Sequence, residues 1–542
     1  MICTTTTETL GTLNKMNEGE KNLQSGALKI PEILEEVMQL SERPDRAASA
    51  RVCRSWTPVA IDVLWRDLDS IFPLLELIAP LERDAEGSLI FPDLIQPVDW
   101  ERLDSYACRV RSLVYDDTED CSTWNGYTGR ISERILSDVH LNRLSSGSIL
   151  PNVIKVNWIA EEATTTLLLL FFLSSRTQHL RIELGSRCPT KIINSLLKLL
   201  GSRVASVIEF KFFIHRQVDD VDEELAKCLM QMEALERVML PRRFGAPKVV
   251  TALTCLKQLK SLRILGKVPQ RNGTVSQIGT QWDTKLEAFQ TLEILDFQTT
   301  LSRAESALTS LTPLCLQSIV IIAVDVVSNQ ELASLFSAMA TSCPQLRKLW
   351  LNLYSGTTKS TELSHFGTLK PLFDCRLLQD LEIGHPRSIQ LTEGNIISIA
   401  NAWSELTRLF LMSNSLVEEE RTPLSLLKAF ARYMPGLQQL GLPCRLDLDG
   451  IQTSPTSQAF ESLLQLHLGR SAVSPDDVDA VTAFLGFICP PGSKIDNGAS
   501  RWQFEPRGWV MNRQTELWAA VGDGIGAFHQ IQRGVAVEIE QS

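Results

Sequence analysis

The stretch Cys343-Pro344-Gln345-Leu346-Arg347-Lys348-Leu349-Trp350-Leu351-Asn352-Leu353 decides how the chain is read. Its apolar residues follow a Leu-x-x-Leu-x-Leu spacing. Leu349, Leu351 and Leu353 recur with the two-residue period of a strand, so they share one face while Lys348, Trp350 and Asn352 share the other. One strand cannot bury three leucines by itself; it needs a similar strand on each side.

Such neighbours run down the chain. Anchored on the first apolar position, the pattern predicts copies at Val153, Thr177, Val204, Leu235, Leu262, Leu292, Leu316, Leu346, Leu378, Leu406, Leu437 and Leu463, 24 to 32 residues apart. This is the period of a solenoid. Val110-Arg-Ser-Leu113-Val-Tyr115 fits a degenerate first strand, set off by a longer gap that carries the acidic run Asp116-Asp117-Thr118-Glu119-Asp120 and reads as a surface loop. Between strands, Thr422-Pro423-Leu424 and Ser474-Pro475-Asp476-Asp477 read as helix starts with a hydroxyl cap and an early proline. Ser328 and Glu331 have the spacing of a capping box. Helices are therefore expected over 331–341 and 424–433. The fold class is α/β: a curved parallel β-sheet inside and helices outside.

At 542 residues the chain suits a stack whose units touch mainly their neighbours. A net charge of −11, with no long basic run, argues against a nucleic-acid binder. The twelve cysteines are scattered and read as reduced thiols of an intracellular protein. Residues 1–27, rich in Thr, Glu, Asn and Gly, read as a disordered lead-in without a signal peptide. The apolar run 167–173 is too short for a membrane span, which needs about twenty residues. It reads as the buried face of a repeat helix.

Residues 30–68 carry a different pattern. Ile33, Leu34, Val37 and Leu40 make one apolar stripe behind Pro31, which a first helical turn tolerates. A second helix is expected over 47–54, after a break at Pro44-Asp45, and a third through Val59, Ile61, Val63, Leu64 and Trp65. Trp56 and Trp65 are expected inside this small core. Ile30-Pro31-Glu32-Ile33-Leu34, Arg51-Val52-Cys53-Arg54-Ser55-Trp56 and Leu64-Trp65-Arg66-Asp67-Leu68 resemble, in order and spacing, the three signature patches of the F-box. With the repeats, the chain resembles F-box proteins with C-terminal leucine-rich repeats, in particular the F-box-like family of mushroom-forming fungi.

The resemblance implies a substrate-recognition subunit of an SCF-type ubiquitin ligase that performs no chemistry itself. The F-box would dock on a Skp-type adaptor, and through it a cullin, while the repeats hold the target protein. Adaptor-facing and F-box core positions would be Ile30, Pro31, Ile33, Leu34, Val37, Val52, Cys53, Trp56, Leu64 and Trp65. The alternative is a leucine-rich-repeat scaffold or inhibitor whose N-terminal helices only cap the solenoid.

Candidate target contacts alternate away from the buried leucines on the concave face: His179, Arg181, Arg237, Lys348, Trp350, Asn352, Asp380, Glu382, Arg408, Phe410, Gln439 and His467. Trp350 beside Lys348, and Phe410 beside Arg408, are the flat-ring and cation pairs that often dominate interfaces. For each, the plainer reading is a half-buried residue packed along the sheet. The seven histidines form no H-E-x-x-H or His/Cys ligand group. Gly522-Asp-Gly-Ile-Gly526 lacks phosphate-loop spacing and reads as a turn. No catalytic residue, metal or cofactor is expected, nor nucleic acid or membrane; the expected compartment is cytoplasm or nucleus.

The implied organisation is a lead-in (1–27), F-box (28–70), linker with degenerate repeat (71–149), solenoid (150–492), and C-terminal cap and tail (493–542). Cys489-Pro-Pro-Gly492 would close the array, and Trp502, Trp509 and Trp518 would cover its end.

Overall fold

A computed structural model describes residues 26, 28–85, 87–93, 95–118, 131–132, 134–135, 138–139, 147–216, 218, 220–265, 289–323, 328–353, 365–413, 420–447, 459–469, 471–496 and 511–541. The chain divides into two compact units, Met1–Leu235 and Glu236–Ser542.

The first unit opens with three short helices, α1 (Pro31–Leu40), α2 (Arg43–Ser49) and α3 (Thr57–Arg66), each with a proline in its first turn. Leu34, Met38, Ala60 and Val63 form their buried core, with Leu28, Ala50, Trp56 and Val59 packed partly against it. Helix α2 starts four residues before the expected Ala47, since Pro44 occupies a turn where its missing N–H costs nothing. Arg46 then donates to the carbonyls of Met38 and Gln39 at 2.7 and 2.9 Å, covering the end of α1.

Helix α3 runs straight into strand β1 (Asp67–Leu68), which pairs in parallel with β4 (Ser112–Asp116). The intervening chain forms α4 (Phe72–Ile78), a hairpin of β2 (Glu82–Arg83) and β3 (Leu89–Ile90), and α5 (Pro97–Ala107). Trp65 does not enter the three-helix core. Its ring lies 4.8 Å from that of Tyr106 on α5, so it ties the helices to the start of the sheet.

Strands β4, β5 (Lys155–Ala160), β6 (His179–Leu184) and β7 (Glu209–Ile214) continue in parallel order. They alternate with α6 (Ala163–Phe172), α7 (Thr190–Gly201) and α8 (Asp222–Met230). The apolar run 167–173 lies almost wholly within α6 and is largely buried.

The second unit repeats the scheme. Its parallel sheet runs β8 (Arg237–Pro241), β9 (Ser261–Leu265), β10 (Ile294–Thr299), β11 (Ser318–Ala323), β12 (Lys348–Leu353), β13 (Asp380–His385) and β14 (Arg408–Ser413). It continues through β16 (Gln439–Gly441), β18 (Gln465–His467) and β19 (Lys494–Asp496), the last lying beyond the expected end of the array at Gly492. Strands β15 (Thr422–Pro423) and β17 (Cys444–Arg445) pair separately. The return segments include α9 (Pro247–Thr254), α10 (Leu301–Leu311), α11 (Asn329–Ser342), α12 (Glu393–Ala402), α13 (Leu427–Tyr433) and α14 (Val478–Ile488), with a 3-10 segment at Phe366–Asp374. The fold is a leucine-rich-repeat solenoid of the α/β class.

Two backbone devices recur. At eleven anchors, from Val153 to Leu437, the anchor N–H donates to the carbonyl three residues back, closing a turn. The next residue's carbonyl then accepts two N–H groups from the following repeat: Arg347 O takes Gln379 N at 2.8 Å and Asp380 N at 3.0 Å, and Gln379 O takes Thr407 N and Arg408 N. The side chain three residues before the anchor is usually buried as well, as with Met232, Cys343, Cys375, Trp403 and Phe460.

This longer motif corrects two copies. Leu180 aligns with Phe210 and Val238 with Leu262, so the anchors there are Val207 and Leu259 rather than Val204 and Leu262. Ser328 does cap α11, accepting from Glu331 N at 3.2 Å, although its hydroxyl donates to the Glu331 carboxylate. Thr422 caps nothing: it is a buried β15 residue.

Helix α15 (Met511–Gln541) packs on α14. Its Trp518 Nε1 donates to Ser471 O at 2.9 Å, and its Phe528 ring covers Gly486, where a Cβ would come within 2.7 Å of the ring. The glycine run 522–526 is not a turn but part of this helix, with Gly524 placed against Thr482. Trp502 and Trp509, the acidic run beyond Thr118 and the lead-in to 25 lie outside the described residues.

Leu351 is 1 % exposed in the middle of β12. Leu351→Ala should lower the unfolding free energy by about 2–5 kcal/mol, whereas Asn352→Ala on the opposite face should stay within about 0.5 kcal/mol. Urea denaturation followed by circular dichroism measures both.

Candidate protein-interaction surfaces

Three surfaces emerge, one on the N-terminal helices and one open sheet face in each unit. On the helices the expected stripe divides. Leu34 and Met38 point inward, while Ile30, Ile33, Val37 and Leu40, spaced by three and four residues along one side of the helix, are 46, 41, 41 and 88 % exposed. Val52 (63 % exposed), Pro31 and Cys53 are also on the surface. Trp56, Leu64 and Trp65 are half-buried. The sequence pattern could not separate the two sides because the apolar stripe of α1 is wider than the core it covers.

Hydrogen bonds from the Ser55 hydroxyl and the Trp56 N–H hold the Cys53 thiol below its ordinary range. Burial pushes the thiols of Cys228, Cys343, Cys375, Cys444 and Cys489 up to about 12. The ten described cysteines are all free.

On the open face of the first unit, Lys155, His179 and Glu209 lie level across three strands, and Asn157, Arg181 and Lys211 form the next row. His179 Nδ1 is 3.0 Å from Glu209 Oε2, and Lys211 Nζ is 2.7 Å from Glu209 Oε1. Burial pushes the Glu183 carboxyl up, but the adjoining Arg181 and His215 outweigh it and leave the group below its ordinary value. Arg181 stays exposed, its guanidinium 5.4 Å from the Phe213 ring centre.

The open face of the second unit is more closed. Arg408 is 8 % exposed: it pairs with Asp380 and Glu382, donates to Gln439 Oε1 at 3.2 Å, and lies over the rings of Trp350 and Phe410 at 5.1 and 4.2 Å. Lys348 Nζ sits 4.5 Å from the Trp350 ring centre and 3.3 Å from Asp380 Oδ2. Phe410 lies over Gly441, where a Cβ would meet its ring at 2.3 Å, and 4.9 Å from His467, which reaches Asp496 at 3.2 Å.

Of the expected contact residues, Glu382, Arg408, Phe410 and His467 are therefore buried in this network rather than presented to a partner. Lys348, Trp350, Asn352, Asp380, Gln439, Arg237 and His179 are half-buried. Strand alternation assigns a side chain to a face but says nothing of how large neighbours close over one another. The glycine at 441 was the available signal.

Among the described residues no helix is long and apolar enough to cross a membrane, and no group of three or more His, Cys, Asp and Glu is gathered as a metal site.

No family model and no curated protein matches the sequence. Solved structures similar to this chain include one chain from the yeast Rad7–Elc1 complex, 15 % identical, with 77 % of this chain and 96 % of that chain covered and a TM-score of 0.35. Others are the leucine-rich-repeat protein LegL7 of Legionella pneumophila (13 % identity, 58 and 87 % covered, TM-score 0.29) and a chain of the mouse RP105/MD-1 complex (14 % identity, 66 and 72 % covered, TM-score 0.26).

Because the buried Arg408 neutralises the buried Glu382 and the half-buried Asp380, Arg408→Ala should cost about 3–5 kcal/mol. Arg181→Ala, removing an exposed charge, should cost less than about 1 kcal/mol. Equal effects in chemical denaturation would contradict this division between structural and available charges.

Proposed function

We propose that the chain is the target-recognition subunit of an SCF-type ubiquitin ligase, with α1 and the turn after α2 docking on a Skp-type adaptor that links it to a cullin. The supporting observation is the outward apolar side of α1. Four large aliphatic side chains exposed along one side of a helix mark a protein contact rather than an ordinary surface. Their neighbours Leu34 and Met38 hold the helix, so docking and folding use different residues of the same segment.

In this reading the chain performs no chemistry. Specificity comes from the repeats, and the face of the first unit offers the more available groups, with Arg181 exposed and Lys155, Lys211 and Glu209 around it. Cytoplasm or nucleus is the compartment such a role requires. A scaffold without ligase function would share the repeats but not bind the adaptor.

The test is capture of a purified Skp-type adaptor by the intact chain and by Ile33→Asp/Val37→Asp. Both side chains are exposed, so the double variant should keep its circular dichroism and melting temperature while losing at least tenfold in affinity. Cys53, on the same surface, should react with maleimide more slowly when the adaptor is bound. No capture by a folded intact chain would sink the ligase reading in favour of the scaffold.

A further inference from the structure

The chain carries a net charge of −11, yet cations gather along the edge of the first unit where its strands begin. Arg111 directly precedes β4, Lys155 opens β5, and Arg176 and Arg203 stand in the turns before β6 and β7, so four successive strands contribute. Hydrogen bonds stack these segments on one another. Arg111 O accepts the N–H groups of Ile154 at 2.7 Å and Lys155 at 2.9 Å, and Ile154 O accepts those of Gln178 and His179. Ser206 Oγ, in the turn that follows Arg203, reaches Ser175 O at 2.5 Å and Thr177 O at 3.2 Å, on either side of Arg176. At about 4.8 Å per strand the run spans about 14 Å.

Lys155, Arg176 and Arg203 are exposed and Arg111 is half-buried; no carboxylate pairs with any of the four among the described residues. Arg203 donates to Leu170 O at 2.7 Å and Arg111 to Cys108 O at 2.9 Å, but a carbonyl carries no net charge to balance theirs. The exposed carboxylates of Asp67 and Glu233 come before and after the run, and Glu209 on β7 is already held by His179 and Lys211. Like charges side by side repel one another, and an anionic partner relieves that repulsion.

A hollow of about 500 Å³ opens among the same turns, with Ser174, Ser175, Ser202, Arg203 and Ser206 in its wall. Three of its hydroxyl hydrogens are engaged: Ser174 Oγ donates to Val153 O at 3.1 Å, Ser202 Oγ to Leu199 O at 3.2 Å, and Ser206 Oγ to the carbonyls named above. These hydroxyls therefore offer a ligand lone pairs, which receive N–H groups, beside a guanidinium, which receives a carboxylate. An acidic peptide supplies both. The phosphates of a nucleic acid supply only acceptors, which the hydroxyl oxygens would repel.

We propose that this edge of the first unit is a docking groove for an extended acidic segment of a protein. Its carboxylates lie against Arg111, Lys155, Arg176 and Arg203, and its backbone N–H groups face the serine hydroxyls of the hollow. The proposal rests on the reading that the repeats hold a target protein, and not on adaptor docking by α1.

The probe is a fluorescein-labelled octapeptide of alternating Glu and Gly, titrated into the full chain without adaptor and followed by fluorescence anisotropy. Binding should saturate, weaken as salt rises, and vanish for the equally labelled peptide with Gln in place of Glu. Lys155→Gln/Arg176→Gln removes two exposed charges, so it should keep the circular dichroism and melting temperature while losing at least tenfold in affinity. Lys191→Gln/Lys198→Gln, which removes the same charge from the exposed side of α7, should bind as the unaltered chain does. The absence of saturable binding, equal losses in the two double variants, or an oligothymidylate of the same charge binding as tightly as the peptide would overturn the proposal. Peptide binding by a chain that captures no adaptor would support this site and sink the ligase reading alone; adaptor capture without peptide binding would overturn this site alone.

Discussion

One carbonyl per repeat organises the solenoid. The residue after each anchor points its C=O at the next repeat, where two successive N–H groups share it, as Gln379 and Asp380 share Arg347 O. Both donors would otherwise be left unpaired where the chain enters its strand, and an unmade hydrogen bond costs about 1–3 kcal/mol where water cannot replace it. Because the carbonyl belongs to the backbone, the bond does not depend on which side chain fills the position; Arg, Gln, Thr and Lys all do so. Register is fixed by this bond, and the stacked leucines then lie behind one another without further specification.

Fixing the register also decides what the open face can do. In the second unit it brings Trp350, Glu382, Phe410, Gly441 and His467 into one row and Lys348, Asp380, Arg408 and Gln439 into another. Large rings and paired charges on neighbouring strands then satisfy one another, and Phe410 occupies the space that Gly441 leaves open. Groups that are hot spots when exposed here hold the sheet together. In the first unit the corresponding rows pair His179 and Lys211 with Glu209, and Arg181 remains exposed.

The parallel sheet with its helices was legible from periodicity alone, since each strand buries alternate leucines. The sequence is ambiguous where that signal is degenerate. The motif contains two consecutive three-residue steps, so Val204-Ala-Ser-Val207 fits equally well one step early, and Leu262 fits as an anchor because Leu259 precedes it at the same spacing. Thr422-Pro423 has the composition of a helix start, yet pairing with Cys444-Arg445 makes it a strand. The glycines at 522–526 suggested a turn, but contact of α15 with α14 outweighs their poor helix propensity. Trp65 shows the same limit: its aromatic character implied burial, but only the later helix α5 supplies Tyr106 to receive it.

The central claim is that the outward side of α1 meets a partner while the residues beneath it hold the fold. Amide hydrogen exchange of the full chain with and without a purified Skp-type adaptor tests this most directly. The account predicts slower exchange confined to residues 30–56, with the strands of both units unchanged. Protection appearing instead on β6 and β7, or nowhere, would contradict it.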